Sequence, residues 1–282
     1  MVDRTARIKL SAGKIFWREA GDDRLPVVIF LHGSWDDSTQ WENSIEILSK
    51  NFHCLAIDLL GFGNSTAIQT PNSIELEVDC LREFLLALNL RPVYLVGHSL
   101  GAWIAVSYTL KYPDLVRGVV AISPEGFSWA DWNQYDRLTK WLLTYPWLLS
   151  LWLNGLKVIV SFSDGTNSLA KIQAYWNYFS KFPTTCKLIF QRSSKEIDRE
   201  LVADRLAQFR SPLLVLQSDS DLGSIVKQGR SYAQAVRNSE YKLIKDLDFT
   251  SSQNISIQIA IEIQEFIDRI QIRVEREEIE LW

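Results

Sequence analysis

Hydrophobic and polar positions along this chain fall into two alternating spellings. Residues 26–31 (PVVIFL) are a continuous apolar run, and 52–58, 93–96, 116–122 and 212–217 are short, mostly apolar runs, the pattern of strands covered on both faces. Between them lie amphipathic stretches. Ile74, Val78, Leu81, Leu85 and Leu88 recur at three and four residues from a start at Asn72 or Ser73, which predicts a helix ending near Asn89 and Pro92. Trp41, Ile45, Ile47 and Leu48 predict another, with Ser38 or Thr39 placed to cap it. A third runs from the end of the 93–96 strand to about Lys111, stopped before Pro113. Ile8 to Leu10 and Ile15 to Arg18 read as a hairpin turning at Ala12 and Gly13, an antiparallel edge. Near the C-terminus a helix over 224–236, a strand over 241–244 and an Ile-rich helix over 255–270 close the pattern. The charged stretch 273–282 reads as a solvated helix extension. Strands alternating with helices predict an α/β domain built on a mostly parallel sheet with helices on both faces.

The alternation stops after residues 123–126 (SPEG) and resumes at about residue 206. Residues 127–205 read as helices rich in Trp, Tyr, Leu and Phe with breaks near Pro146, Gly155, Gly165 and Pro183, so they are taken as an inserted cap on a core made of 1–126 and 206–282. Of the chain's 11 Trp, Trp129, Trp132, Trp141, Trp147, Trp152 and Trp176 lie in the cap. Its most apolar stretch, 141–153, is shorter than the ~20 residues a membrane span needs and is broken by Pro146. Three uses remain for such a surface: packing on the core, a lid over an apolar ligand, or peripheral membrane contact through Trp rings.

Length, charge and cysteines narrow the classes. At 282 residues and 47% hydrophobic, the chain can bury the core of one large domain carrying an insertion. A net charge of -4 with scattered Lys and Arg gives no basic field for nucleic acid. Cys54, Cys80 and Cys186 sit inside apolar patterns at wide spacing, as reduced thiols would, which points to the cytoplasm; the N-terminus has no apolar run of the secretory kind. No nucleotide-type glycine loop and no clustered metal ligands are present, so no cofactor or metal is expected.

The chemistry centres on residues 97–101 (GHSLG), a G-x-S-x-G set between an apolar strand and a helix. A serine hydroxyl becomes a useful nucleophile when a tight turn exposes it beside a base, and glycines on either side let strand and helix backbones pass closely. With His32-Gly33 after one strand and Asp58, Gly61, Gly63 and Ser65 after the next, the ordered motifs resemble the α/β-hydrolase superfamily over nearly the whole chain, in its capped, esterase-like branch.

The resemblance implies an α/β-hydrolase fold, a mostly parallel eight-stranded sheet flanked by helices with an inserted helical cap. It implies Ser99 as nucleophile, and the backbone N–H of Leu100 plus one from Ser34 or Trp35 as the oxyanion hole. The triad acid is best matched by Asp221, with Asp219 a near alternative and Glu125, at the end of the preceding strand, a remoter one. The family's histidine position is filled here by Asp248. The chain holds three histidines, His32, His53 and His98, and each reads as structural. A carboxylate at Asp248 is a weak base for serine unless burial or Asp221 raises its proton affinity. Two functions follow. One is a serine carboxylic-ester hydrolase, impaired at its base, acting on a small hydrophobic or ester-containing molecule. The other is a non-catalytic pseudo-hydrolase that binds a hydrophobic ligand or partner protein through the cap. Epoxide hydrolases and haloalkane dehalogenases place a carboxylate at the elbow, and Ser99 argues against both.

Overall fold

The computed structural model describes residues 4–68, 73–128, 182–245 and 253–280. Among the described residues nine strands form one sheet: β1 (Arg4–Lys9), β2 (Gly13–Ala20), β3 (Val27–Leu31), β4 (His53–Ile57), β5 (Thr66–Ala67), β6 (Val93–His98), β7 (Val116–Ile122), β8 (Leu213–Ser218) and β9 (Ser239–Ile244). Their order is β1-β2-β4-β3-β6-β7-β8-β9, with β5 pairing β2 off this path. The main path thus has the eight strands expected, and the two-residue β5 is an addition. From β4 to β9 every pairing is parallel, while β1, β2 and β5 are antiparallel.

The apolar runs are strands buried on both faces. Along β3, Val28 and Phe30 join one core cluster while Ile29 and Leu31 join the other; β8 divides the same way, Leu214 and Leu216 against Leu213 and Val215. This is the period of two expected of a pleated strand between two helical layers. One layer holds α2 (Ile74–Ala87), α3 (Leu100–Lys111) and α6 (Gly223–Ala235), which contribute Phe84, Trp103 and Tyr232. The other holds α1 (Glu42–Leu48) and α7 (Gln253–Glu280), which contribute Ile45 and Phe266. Two short helices, α4 (Pro183–Phe190) and α5 (Ser194–Glu200), precede a 3-10 turn at Ala203–Gln208. The rest of the expected cap, 129–181, lies outside the described residues, including the Trp-rich 141–153.

Several local expectations shift. The residue capping the turn before α1 is Asp37, which accepts from the Thr39 N–H, rather than Ser38 or Thr39: its carboxylate reaches two residues on, which a residue already inside the turn does not. Ser73 does cap α2, accepting from Leu76 N–H. The last helix is 28 residues long, 253–280, and carries the charged stretch as a continuation. All three cysteines are buried and free.

Candidate active site

The carboxyl ends of the parallel strands lie on one side of the sheet, where open α/β sheets place their ligands. At the end of β6 the chain turns into α3 through Ser99, whose φ of 51° and ψ of -110° no ordinary L residue adopts readily, at a cost of about 1–3 kcal/mol. Close packing imposes the turn. A Cβ on Gly97 would overlap the backbone of Gly101, and one on Gly101 would overlap the carbonyls of Leu31 and His32. The Ser99 N–H is tied to Ile122 O at 2.9 Å, and its carbonyl accepts from Ala102 and Trp103 N–H at 3.1 and 3.2 Å. Leu100 N–H is the first of α3 and has no acceptor within the helix, so it is oriented at the positive end of the helix dipole.

The loop after β3 carries the two candidates, Ser34 and Trp35, for the second oxyanion donor. Ser34 is buried, its carbonyl accepts from Thr185 Oγ1, and its Oγ has no hydrogen-bond partner among the described residues. Trp35 packs edge-on against Phe182 with ring centroids 6.0 Å apart. Gln40 joins this loop to the elbow: its Oε1 accepts from Gly33 N–H at 3.0 Å and its Nε2 lies 2.8 Å from His98 Nδ1. Asp58, at the end of β4, is fully buried; its Oδ1 accepts from Ser38 N–H at 2.7 Å and its Oδ2 from Asn64 N–H at 2.6 Å. Gly63, at φ 49°, leaves room for that carboxylate, which a Cβ would strike.

The three histidines are held in other roles. His32 Nδ1 meets Gly33 O at 2.8 Å and its Nε2 accepts from Leu59 N–H at 3.0 Å, with burial lowering its pKa. His98 is pushed down to about 3 by burial and by His32. His53 begins β4 at the opposite end of the sheet, where its Nε2 meets Glu19 Oε1 at 2.6 Å.

The side chain that reaches Ser99 is Glu125. Ser99 Oγ donates to Glu125 Oε1 at 2.7 Å. Burial raises the Glu125 pKa, the Ser99 hydrogen bond lowers it, and the charge of Asp221 raises it further. Asp221 itself is bonded elsewhere: its Oδ2 accepts from Ser123 Oγ at 2.5 Å and from Gln217 Nε2, and its pKa too is raised by burial. Asp219 N–H bonds Ile244 O at 3.1 Å. Asp248 lies outside the described residues. The structure therefore brings Ser99 and Glu125 into contact, and places Asp221 beyond the end of the next strand, β8, bonded to Ser123. In the sequence only the level of Glu125 could be read, because residues 123–126 follow the strand beside the elbow strand and parallel neighbours end at the same level. Among the described residues no cluster of three or more His, Cys, Asp or Glu is arranged to hold a metal ion, and no described helix is long and apolar enough to cross a membrane.

Comparison with known proteins accords with this architecture. A putative lipase from Acinetobacter baumannii superposes with a TM-score of 0.71 at 20% identity, covering 96% of this chain and 92% of that one. An (E)-2-((N-methylformamido)methylene)succinate hydrolase of Acinetobacter baylyi is 28% identical over 123 residues, 44% of this chain and 46% of that protein. A 1-acylglycerol-3-phosphate O-acyltransferase, ABHD5, of Rattus norvegicus is 33% identical over 128 residues, 43% of this chain and 36% of that protein. The match thus spans less than half the length of either curated relative. The family model for the alpha/beta hydrolase fold matches residues 26–248, which take in the elbow, the loop after β3 and the ends of β7 and β8, and the chain belongs to that family.

Proposed function

We propose that the protein is a serine-type carboxylic-ester hydrolase of limited rate, with Ser99 as nucleophile and with Leu100 N–H plus one N–H of Ser34 or Trp35 receiving the oxyanion. The observation that carries this reading is Ser99 itself: a strained residue between strand and helix whose hydroxyl meets a half-buried carboxylate. Backbone strain of this kind clusters at functional sites. The relatives' printed activities, a hydrolase among them, support the class. The substrate is a small hydrophobic or ester-containing molecule, and the three free cysteines support a cytoplasmic setting. The limit on rate comes from the base. In a complete triad, losing the histidine costs about a millionfold in turnover, and by the family resemblance the sequence carries Asp248 where that histidine is expected.

A second reading is favoured by one observation, that all three histidines are engaged away from Ser99. In it the chain is a pseudo-hydrolase that binds a hydrophobic ligand or a partner through the cap. Labelling by a fluorophosphonate separates the two. Covalent modification of wild type but not of Ser99→Ala supports the hydrolase; an unlabelled wild type that still takes up a hydrophobic fluorophore saturably supports the binder.

A further inference from the structure

Ser99 and Glu125 stand at the ends of adjacent strands. β6 and β7 run parallel with His98 opposite Ile122, and both leave the sheet through a residue of positive φ, Ser99 at 51° and Ser123 at 44°. Gly126, at φ 86°, then packs its backbone against the Trp103 ring, where a Cβ would collide. The Glu125 carbonyl accepts from Tyr232 Oη at 2.5 Å, and Phe127 and Ser128 N–H donate to Gln228 Oε1 at 3.1 and 3.4 Å. The backbone on each side of Glu125 is therefore pinned by α3 and α6, and its carboxylate is directed at Ser99 Oγ.

We infer that Glu125 is the general base of this site, taking the Ser99 proton directly in place of an imidazole, and that Asp221, whose Oδ2 holds Ser123 Oγ two residues before Glu125, is a positioning residue. The inference rests on the reading of Ser99 as nucleophile. In the first half-reaction the Oγ proton passes to Glu125 Oε1 as Oγ bonds to the ester carbonyl carbon, whose π electrons move to the oxyanion. Collapse re-forms the carbonyl and breaks the bond to the leaving oxygen, which takes the proton back from Glu125. In the second, Glu125 removes a proton from water as its oxygen attacks the acyl carbon, and Ser99 leaves with that proton. Glu125 ends ionised, and no other reactant is needed.

The groups facing Glu125 fix the pH dependence. Ser99 comes from the elbow, Asp221 from the end of β8 with Asp219 beside it, and Tyr232 from α6 with Arg205 acting on it from the turn before β8. Burial raises the Tyr232 pKa, so it stays neutral, and Asp221 is the charge that matters. Burial and Asp221 raise Glu125, so the base is ionised, and active, only as pH rises through that elevated value. Neutralising Asp221 removes a repulsion and moves the value down.

The test is the pH profile of 4-nitrophenyl acetate hydrolysis by full-length wild type, Ser99→Ala, Glu125→Gln and Asp221→Asn, with thermal melts to verify folding. The inference expects a kcat/KM that rises with pH to a plateau, a loss of at least ~100-fold in Glu125→Gln, and an inflection shifted to lower pH in Asp221→Asn. Turnover that Ser99→Ala abolishes but Glu125→Gln leaves intact overturns the base assignment and spares the hydrolase reading. An inflection unmoved in Asp221→Asn overturns the role of Asp221. No turnover by wild type at any pH removes the hydrolase reading and this one together.

Discussion

Replacing Glu77 with Gln should stabilise the protein, increasingly so with rising pH. Glu77 lies on α2 within the core, 3% exposed, and its Oε2 accepts from Leu60 N–H at 3.2 Å. Around it Ile15, Leu31, Ile57, Leu81 and Phe84 enclose a space of about 10 Å³, room for one water at most. An ionised carboxylate there is poorly solvated, and burial raises the pKa from 4.5 to about 8, the hydrogen bond from Leu60 opposing only in part. The unfolded chain releases this proton near pH 4.5, so between that value and about 8 the native state holds more protons and stability falls as pH rises. At 1.36 kcal/mol per pH unit, the loss at pH 7 is about 3 kcal/mol. That is a large part of the 5–15 kcal/mol typical of a domain. Glutamine keeps the acceptor for Leu60 and removes the titration. Urea unfolding of both proteins at pH 5, 7 and 8.5 measures it. Wild type should lose stability across the series by an amount the variant does not, and the two should converge near pH 5. Equal pH slopes in the two proteins would refute the reasoning.

Two further outcomes follow from groups near the site. Asp58→Ala leaves Ser38 and Asn64 N–H without their shared acceptor; Ser38 is buried and Asn64 exposed, so at about 1–3 kcal/mol for the one buried donor stranded the melting temperature should fall by a few degrees, and an unchanged melt would show that the two loops hold without it. The thiols of Cys54, Cys80 and Cys186 are all raised by burial, the last two to about 12 and about 11. Native protein at pH 8 should therefore react slowly with Ellman's reagent and release three equivalents once unfolded; fast reaction of any one thiol in the native state would contradict the burial.

The framework was legible because its signals are local. Continuous apolar runs marked strands covered on both faces, and the glycines of 97–101 marked a turn where backbones touch. The carboxylates were less so. Glu19 stands on a strand whose alternation reads as half-exposed, yet it is buried. There desolvation is outweighed by hydrogen bonds from Arg4, Trp17 and His53, which bring its pKa to about 2. Glu77 looks like an ordinary first-turn acid, and only the fold brings Leu60 to it. Counting along the chain favoured Asp221 over Glu125 because counting gives distance from a strand end, and not the direction in which the backbone leaves it. That direction depends on the positive φ of Ser123 and Gly126 and on Trp103, a residue of another element.

The strand order has a kinetic consequence. The parts of the site come from the ends of β3, β6, β7 and β8, paired so that Leu31 lies opposite Gly97 and Ala121 opposite Val215. Each pairing closes a long stretch of chain, and parallel strands brought together across such separations form slowly. No isolated hairpin or helix pair contains Ser99, Glu125 and the loop after β3 at once. During refolding the contact of Ser99 with Glu125 therefore cannot form ahead of the central sheet, and its return reports the completion of the whole parallel core.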